Sequence, residues 1–404
     1  MSVTVYASGD PYSPGFSPQI FTALSTQVAQ PNFSYTIVAT DVLTSETQTF
    51  QLPPRPDDYC VFDARIFSEI RLTNYLPKNE YGWKQADGVR KIRVNIGETY
   101  GTNPAYASGM DLDYIVWNAI LDWKEYPNYN RNDYVYNNLL PNIVYLNRST
   151  EEDTYEDRSN YLYALTSQAG DIEYLLIQTY DAAGVQIGTS TIPNPYVALT
   201  DYEDKYLCID IGHKGLTNIT AGEVTGAYPI LTDDIAYYKV YDVYDNGMVL
   251  FPTLLKTIYI KCEPRFDVYT LHYLDKGGNG QTLHFSKKSV STLNKQQTTY
   301  SKLPFQMSGT DYAYSPSAKV KKVLSSDRTN QITLTTDWLT DDQVDYYQGI
   351  LDSPEIYLDL GSATDYLQVL VVSNSYVLNK RYNERLYTLE LQIEYAHSNT
   401  RQNG

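Results

Sequence analysis

Residues 174–192 read YLLIQTYDAAGVQIGTSTI, and this stretch decides the fold class. The runs 174–180 and 185–192 are rich in tyrosine, isoleucine, valine and threonine, the residue types that suit a pleated sheet. Between them, residues 181–184 (DAAG) form a turn signal, with glycine available where the backbone needs a positive φ. The stretch therefore predicts a β-hairpin.

A second hairpin is predicted downstream. Residues 237–244 read YYKVYDVY, the turn Asp245-Asn246-Gly247 follows, and a new apolar run begins at Val249. Asn-Gly between two apolar runs is the strongest short-range hairpin signal. Other β-rich runs predict strands over residues 33–37, 47–52, 91–96, 143–146, 161–165, 268–274, 282–285, 331–335, 356–360, 367–372, 376–378 and 386–395.

Three other stretches favour different structures. From Val61 to about Leu76 the apolar spacing is typical of a short helix that crosses between sheets. The acidic residues 151–157 are predicted to form a loop. The Ser- and Thr-rich region before Gln331 has the composition of a linker.

One amphipathic helix is predicted in the C-terminal third, over residues 341–351. Thr340 is a suitable N-cap, and Gln343 completes a capping box three residues later. Pro354 prevents the helix from continuing. The apolar face comprises Val344, Tyr347, Ile350 and Leu351, and Leu339 forms a hydrophobic staple with Val344.

These elements predict an all-β, multi-domain protein with β-sandwich-like modules, few short helices and a C-terminal α+β element that contains the amphipathic helix. A chain of 404 residues is too long for one ordinary core. The predicted domains are a β-sandwich-like domain over 1–141, a middle β domain over 142–264, and a C-terminal β domain with the helix over 265–404. No clear sequence repeat relates them.

Composition narrows the function classes. Tyrosine contributes 41 residues, against 4 histidines and 3 cysteines, a balance that suits sheets and contact surfaces better than proton transfer or metal chemistry. The formal charge of −17, from 31 basic and 48 acidic side chains, repels nucleic acid and anionic membranes over most of the surface. Local basic clusters, Lys287-Lys288 and Lys319, Lys321 and Lys322, are interpreted as solvated faces in preference to a polyanion site.

The sequence also bears on location. Its start, MSVTVYASGDPYSPGF, has neither the basic segment nor the apolar run of a signal peptide, and no uninterrupted apolar stretch is long enough to span a bilayer. Cys60, Cys208 and Cys262 lack the spacing of a disulfide framework or a zinc site. We therefore expect synthesis in a reducing cytoplasm, and no cofactor.

No catalytic motif stands out, so the protein is predicted not to be an enzyme. The sequence contains no GxSxG motif, and it identifies no partners for the histidines, His213, His272, His284 and His397. Adjacent carboxylates at 57–58, 151–153, 233–234 and 341–342 keep a glycan hydrolase as a weaker alternative, and calcium binding at 151–157 stays open. The Gly-rich stretch 277–280 lacks the Lys-Ser/Thr ending of a phosphate loop and predicts a hairpin turn.

Two tyrosine-rich stretches are the candidate contact surfaces. The first is a loop in which tyrosine and asparagine are interleaved, a composition that suits sugar stacking, a protein contact or a structural loop that covers a sheet edge. Its tyrosines are Tyr126, Tyr129, Tyr134 and Tyr136. The second is a predicted strand, and its tyrosines are Tyr237, Tyr238, Tyr241 and Tyr244. We predict that these eight residues lie at protein interfaces.

Several stretches, taken together, carry a family resemblance. The N-terminal ones are QPNFSY (30–35), VFD (61–63), VNIGETYG (94–101) and VWNAILDW (116–123). The C-terminal ones are LHYLDKGGNGQTLHF (271–285), TTDWLTDDQVDYYQGILDSPEIYLDL (335–360) and LELQIEYA (389–396). They resemble a family of predicted virion proteins from tailed phages that infect Bacteroidetes, including crAss-like phages. The resemblance spans most of the chain and is thin between residues 142 and 263.

The resemblance implies a structural component of the virion, a tail- or head–tail-ring-associated subunit. Such a subunit would contact copies of itself and other virion proteins, and a closed ring would need two different, complementary patches. The shared motifs are structural, so they carry over no functional residues. The leading alternative is a carbohydrate- or receptor-binding module protein with a glycan as partner, which would expose an aromatic platform to solvent.

Overall fold

The computed structural model describes residues 3–7, 10–73, 76–77, 80–86, 88–101, 107, 109–122, 124–136, 149–166, 172–196, 205–245, 250–261, 264–303, 305–314, 320–359, 366–372, 377–381 and 386–396. Strands make up 53% of the structure and helical segments 10%, so the predicted all-β fold is confirmed. The chain divides into two compact units. The first comprises residues 1–263, 272–283 and 352–354, and the second residues 264–271, 284–351 and 355–404. The predicted three-domain division stays a prediction.

The first unit is built from short strands. In its described residues these are β1 Val3–Ala7, β2 Tyr12–Pro14, β3 Ile20–Ser25, β4 Ser34–Asp41, β5 Thr47–Leu52, β6 Tyr59–Asp63, β7 Trp83–Ala86, β8 Val89–Thr99, β9 Asp111–Trp117, β10 Val135–Tyr136, β11 Glu151–Tyr155, β12 Tyr161–Thr166, β13 Tyr174–Tyr180, β14 Gln186–Pro193, β15 Lys205–Asp210, β16 Thr225–Gly226, β17 Tyr237–Asp245 and β18 Leu250–Lys261. The helical segments are α1 Arg65–Ser68, α2 His213–Asn218, and the 3₁₀ helices Tyr126–Asn128, Arg131–Asp133 and Ala221–Glu223.

Sheets and hydrophobic cores alternate in the first unit. The strand orders of the sheets are β1-β3-β6, β2-β9-β8-β4-β5, β10-β12-β15-β7 and β11-β18-β17-β13-β14-β16. The first core lies between the three-stranded and five-stranded sheets, and includes Phe21 and Ile37. The second lies between the five-stranded and four-stranded sheets, and includes Trp117 and Tyr163. The third lies between the four-stranded and six-stranded sheets.

The two-residue period of the strands explains how one strand can serve two cores. In β9, Tyr114 and Val116 enter the first core, whereas Ile115 and Trp117 enter the second. In β12, even-numbered apolar residues enter the third core and odd-numbered ones the second, and all six residues are buried. A strand that is covered on both faces reads as a nearly continuous apolar run, as YLYALT does here.

The C-terminal part of the chain adds one large sheet. The strands described in this part of the chain are β19 Tyr269–Leu274, β20 Gly280–Phe285, β21 Val290–Ser301, β22 Phe305–Ser308, β23 Asp311–Tyr314, β24 Lys321–Thr335, β25 Ile356–Asp359, β26 Tyr366–Val371, β27 Val377–Arg381 and β28 Leu386–Tyr395. The sheet has the order β20-β19-β25-β26-β28-β24-β21, with β27 also paired to β28, while β22 and β23 pair with each other. Helix α3, Asp341–Tyr347, continues into the 3₁₀ helix Gln348–Leu351.

The predicted amphipathic helix over 341–351 is confirmed. The Thr340 hydroxyl accepts a hydrogen bond of 3.3 Å from the Gln343 backbone N–H, and the Gln343 side chain accepts one of 3.0 Å from the Thr340 N–H. This capping box satisfies two amides of the first turn. Val344 and Ile350 are buried, as the predicted apolar face requires, whereas Leu351 is 38% exposed.

Two sequence-based expectations are wrong in the same way, because long-range pairing overrides local composition. Residues 151–155 form β11 and not a loop, since they pair in parallel with β18. The Ser- and Thr-rich region is not a linker, since β21 and β24 pair along twelve residues of β21. The short helix expected between Val61 and about Leu76 is present as the four-residue α1, which follows β6.

Candidate interaction surface

A row of tyrosines lies on the outer face of the six-stranded sheet. β17 lies between β13 and β18, and the register places Tyr237 opposite Tyr180 on one side and opposite Tyr259 on the other. The Tyr180 and Tyr237 rings stack at a centroid distance of 4.9 Å with an interplanar angle of 2°. The Tyr237 and Tyr259 rings are 5.7 Å apart and inclined by 39°. We call these three residues the tyrosine ladder.

The alternation of β17 determines which tyrosines face outward. Tyr238 is fully buried in the third core, so Tyr237, its neighbour along the strand, points to the opposite face. The Tyr238 hydroxyl donates a hydrogen bond of 2.6 Å to the Ile211 carbonyl, which satisfies its polar group in the core. On the outer face, Tyr259 is 37% exposed. The ladder therefore occupies the side of the sheet away from the core.

Charged groups border the tyrosine ladder. The Lys239 ammonium lies 5.2 Å from the centroid of the Tyr180 ring, within the range of a cation–π interaction. Asp153 lies opposite Tyr259 on the edge strand β11 and forms an ion pair of 3.4 Å with Lys261. Partial burial is the main cause that raises the pKa of both Tyr180 and Tyr259. A tyrosine hydroxyl is neutral at neutral pH even without such a shift, so both groups can donate as well as accept hydrogen bonds.

The structure divides the four tyrosines that the sequence predicts along this strand. Tyr237 and Tyr241 are half-buried on the outer face, and Tyr238 lies in the core. The side chain of Tyr244 lies outside the described residues. A partner that lies on the outer face of the sheet can therefore contact Tyr237 and Tyr241 but not Tyr238. Sequence reasoning missed Tyr180 and Tyr259, which join the surface only through the strand register.

The predicted aromatic loop mainly covers the second core. Tyr129 and Tyr134 stack at 5.8 Å and pack against that core. The Tyr129 hydroxyl donates a hydrogen bond of 2.5 Å to the Tyr12 carbonyl, and burial raises the pKa of Tyr129 far above its usual range. Tyr126 is 39% exposed. The backbone of Tyr136 belongs to β10, and its side chain lies outside the described residues.

Each histidine side chain that the structure describes lies within hydrogen-bonding distance of a neighbouring group. His213 Nδ1 accepts a hydrogen bond of 3.3 Å from the Asp157 backbone N–H, and burial lowers the pKa of His213. His272 and His284 are buried, and the Nδ1 atom of each lies 2.9 Å from a threonine hydroxyl. His397 lies outside the described residues.

Three of the four groups of adjacent carboxylates include residues that have a structural role. Asp57 forms an ion pair of 3.7 Å with a neighbouring arginine. Asp341 and Asp342 lie in the first turn of α3, where negative charge favours the helix. Glu152 is buried and forms an ion pair with the buried Lys256. Among the described residues, no group of three or more His, Cys, Asp or Glu side chains could hold a metal ion.

Within the described residues, no helix is long and apolar enough to cross a membrane. A comparison of the sequence with protein-family models and with curated proteins finds no match in either.

Proposed function

We propose that the protein is a structural component of a tailed-phage virion, a tail- or head–tail-ring-associated subunit that acts through protein–protein contacts. Its partners would be copies of itself and other virion proteins. The sequence resemblance of residues 271–285 and 335–360 supports this role. An all-β fold built from sheets that pack on one another supports this role too, because a virion subunit must be stable without a bound cofactor.

The geometry of the tyrosine ladder carries the proposal. The Tyr180 and Tyr237 rings are parallel with centroids 4.9 Å apart, so each ring partly covers one face of the other, and the Lys239 ammonium lies 5.2 Å from the centroid of the Tyr180 ring. Rings in this arrangement offer their edges and hydroxyl groups to a partner. Tyrosine provides a large, rigid contact area at a low cost in conformational entropy, and it is enriched among residues that dominate interface energetics.

A carbohydrate- or receptor-binding protein is the second candidate function. Tyr259 supports it, because this ring is 37% exposed and only inclined against Tyr237. Sugar rings pack their C–H groups on a free aromatic face, and stacking between Tyr180 and Tyr237 partly covers one face of each of these rings. The ladder therefore fits an extended protein contact better than a sugar platform.

The test is the native mass of the full chain, measured by light scattering alone and with an extract of the phage particles. We expect a discrete multimer in at least one sample. In the double variant Tyr237→Ala/Tyr259→Ala we expect the dissociation constant of this multimer to rise about 30-fold. This corresponds to about 2 kcal/mol for the loss of two interface aromatic rings.

The matched control is Tyr6→Ala, which removes a 61% exposed tyrosine from a different sheet and should leave assembly unchanged. A wild-type protein that stays monomeric in both samples would contradict the proposed function. Binding of a glycan by that monomer, lost in Tyr237→Ala/Tyr259→Ala, would establish the second candidate function instead.

A further inference from the structure

The second unit contains a long two-stranded ribbon. β21 and β24 pair in antiparallel register from Val290 opposite Thr333 to Ser301 opposite Lys321. β28 pairs with the other edge of β24 only at residues 331–335. Residues 293–301 and 321–330 are thus left as two strands alone, about 30 Å long at about 3.4 Å per residue. We call this pair of segments the ribbon; in the described part of the chain no third strand pairs with it.

The ribbon is exposed to an unusual degree for paired strands. All twelve residues of β21 are exposed. Apolar side chains are among the exposed ones, since Leu293 is 55% exposed and Leu324 is 68% exposed. A two-stranded ribbon alone is at best marginally stable in water, and an open strand edge is a template for pairing with another chain. Docking on a partner would remove both problems.

The ribbon lies in a basic segment of an acidic chain. Residues 287–328 contain eight basic and two acidic residues, a formal charge of +6. Residues 1–263 contain 17 basic and 33 acidic residues, a formal charge of −16. As far as the described residues show, Lys295, Lys302, Lys321 and Lys322 form no ion pair within their own chain. Their charge is therefore available to the surface of another molecule.

We infer that the ribbon docks on the acidic first unit of a second copy of this chain. The charges of the two surfaces are opposite, whereas contacts between two first units or between two ribbons are opposed by like charges. The resulting contact is heterologous, joining two different patches head to tail, which is the interface type that builds rings. Nucleic acid would also attract the lysines, but the −16 of the neighbouring segment opposes its approach. This inference rests on the proposed function and names the surfaces through which its subunits join.

The first experiment compares two variants with the same net charge. Lys321→Glu/Lys322→Glu reverses two charges on the ribbon, and Arg55→Glu/Lys124→Glu reverses two in the first unit, so that each variant changes the formal charge from −17 to −21. Sedimentation velocity should show that the dissociation constant for self-association rises at least about tenfold in the ribbon variant. The control variant should self-associate at least as tightly as wild type. Raising NaCl from about 50 to about 500 mM should weaken wild-type association, because the attraction is screened.

The second experiment identifies the surface on the other copy. Unlabelled and heavy-nitrogen-labelled full chains are mixed, and a zero-length reagent couples amines to carboxylates that are in contact. We expect links between the two isotopic forms that join Lys295, Lys321 or Lys322 to acidic residues within 1–263.

The outcomes separate this inference from the proposed function. If the ribbon variant assembles as wild type does, or the intermolecular links avoid the ribbon, the inference is wrong and the proposed function stands. If wild type stays monomeric with the particle extract as well, both are wrong. If wild type binds a short DNA duplex, the ribbon variant loses that binding, and self-association is unaffected, the ribbon is a nucleic-acid surface and the inference is overturned.

Discussion

Replacing Asp210 with asparagine should remove a pH dependence from the stability of the first unit. The Asp210 carboxyl is buried, and its Oδ1 atom accepts hydrogen bonds from the backbone N–H groups of Asn160 at 3.0 Å and Gly212 at 2.9 Å. Burial is the largest influence and raises the pKa of Asp210 to about 7, although these hydrogen bonds act in the opposite direction. Asparagine keeps the shape and the accepting oxygen and cannot ionise.

The direction and size of this change in stability with pH depend on the pKa of Asp210 in the unfolded and folded states. The carboxyl has a pKa of 3.8 before folding and of about 7 in the folded protein. Between about pH 4 and pH 7 the folded state holds a proton that the unfolded state has released, so the free energy of unfolding falls as the pH rises and levels off above about pH 7. A difference of about 3 pKa units corresponds to about 4 kcal/mol. In a unit of this size, a loss of about 4 kcal/mol lowers the Tm by about 10 °C.

The assay is thermal unfolding at pH 5 and at pH 8, followed by circular dichroism for wild type and Asp210→Asn. Other titrating groups shift both proteins alike, so the difference between their pH profiles isolates Asp210. Only about 2 of the 3 pKa units lie between pH 5 and pH 8, which corresponds to about 2.7 kcal/mol, so we expect the Tm of wild type to fall by about 6 °C more than that of the variant between the two pH values. The control is Asp57→Asn, whose side chain is 54% exposed. Parallel profiles for wild type and Asp210→Asn would refute the reasoning.

Two further predictions concern stability. Glu152→Gln leaves the Lys256 charge unpaired in the interior and should lower the free energy of unfolding by about 3–5 kcal/mol, whereas adding Lys256→Met should restore most of it. Urea denaturation of the four proteins of this cycle gives the coupling energy, and a value near zero would contradict the buried pair. Thr340→Ala removes the N-cap acceptor of α3 and should cost about 1 kcal/mol, against little for Thr340→Ser. Equal losses in these two variants, again by urea denaturation, would exclude a capping role.

Local periodicity was enough to predict many strands. Thr47–Leu52 and Tyr174–Tyr180 have the bounds expected from their residue patterns, because each strand pairs with a neighbour close in sequence. β11 could not be predicted in this way. Its acidic residues disfavour a strand locally, and its partner β18 lies about a hundred residues downstream, where Lys256 neutralises Glu152.

The tyrosine ladder shows a second limit of sequence reasoning. Alternation alone requires that Tyr237 and Tyr238 face opposite sides of a strand, yet it does not say which side is covered. Only the packing of the four-stranded sheet on the six-stranded one settles that Tyr238 is the buried residue. Tyr180 and Tyr259 belong to the same surface through register with β17, and register depends on pairing across the sheet.

Charge segregation and the open edge of the ribbon bear on one physical problem. A long exposed edge strand invites pairing with any other edge, and two ribbons in contact would bring together two segments of +6 each. Their repulsion opposes that wrong contact, while the −16 of residues 1–263 keeps the acidic parts of two free subunits apart. The contact between a ribbon and a first unit is the combination that electrostatics favours. In the proposed assembly, the same distribution of charge would disfavour uncontrolled aggregation of free chains and would select the directional contact between ribbon and first unit.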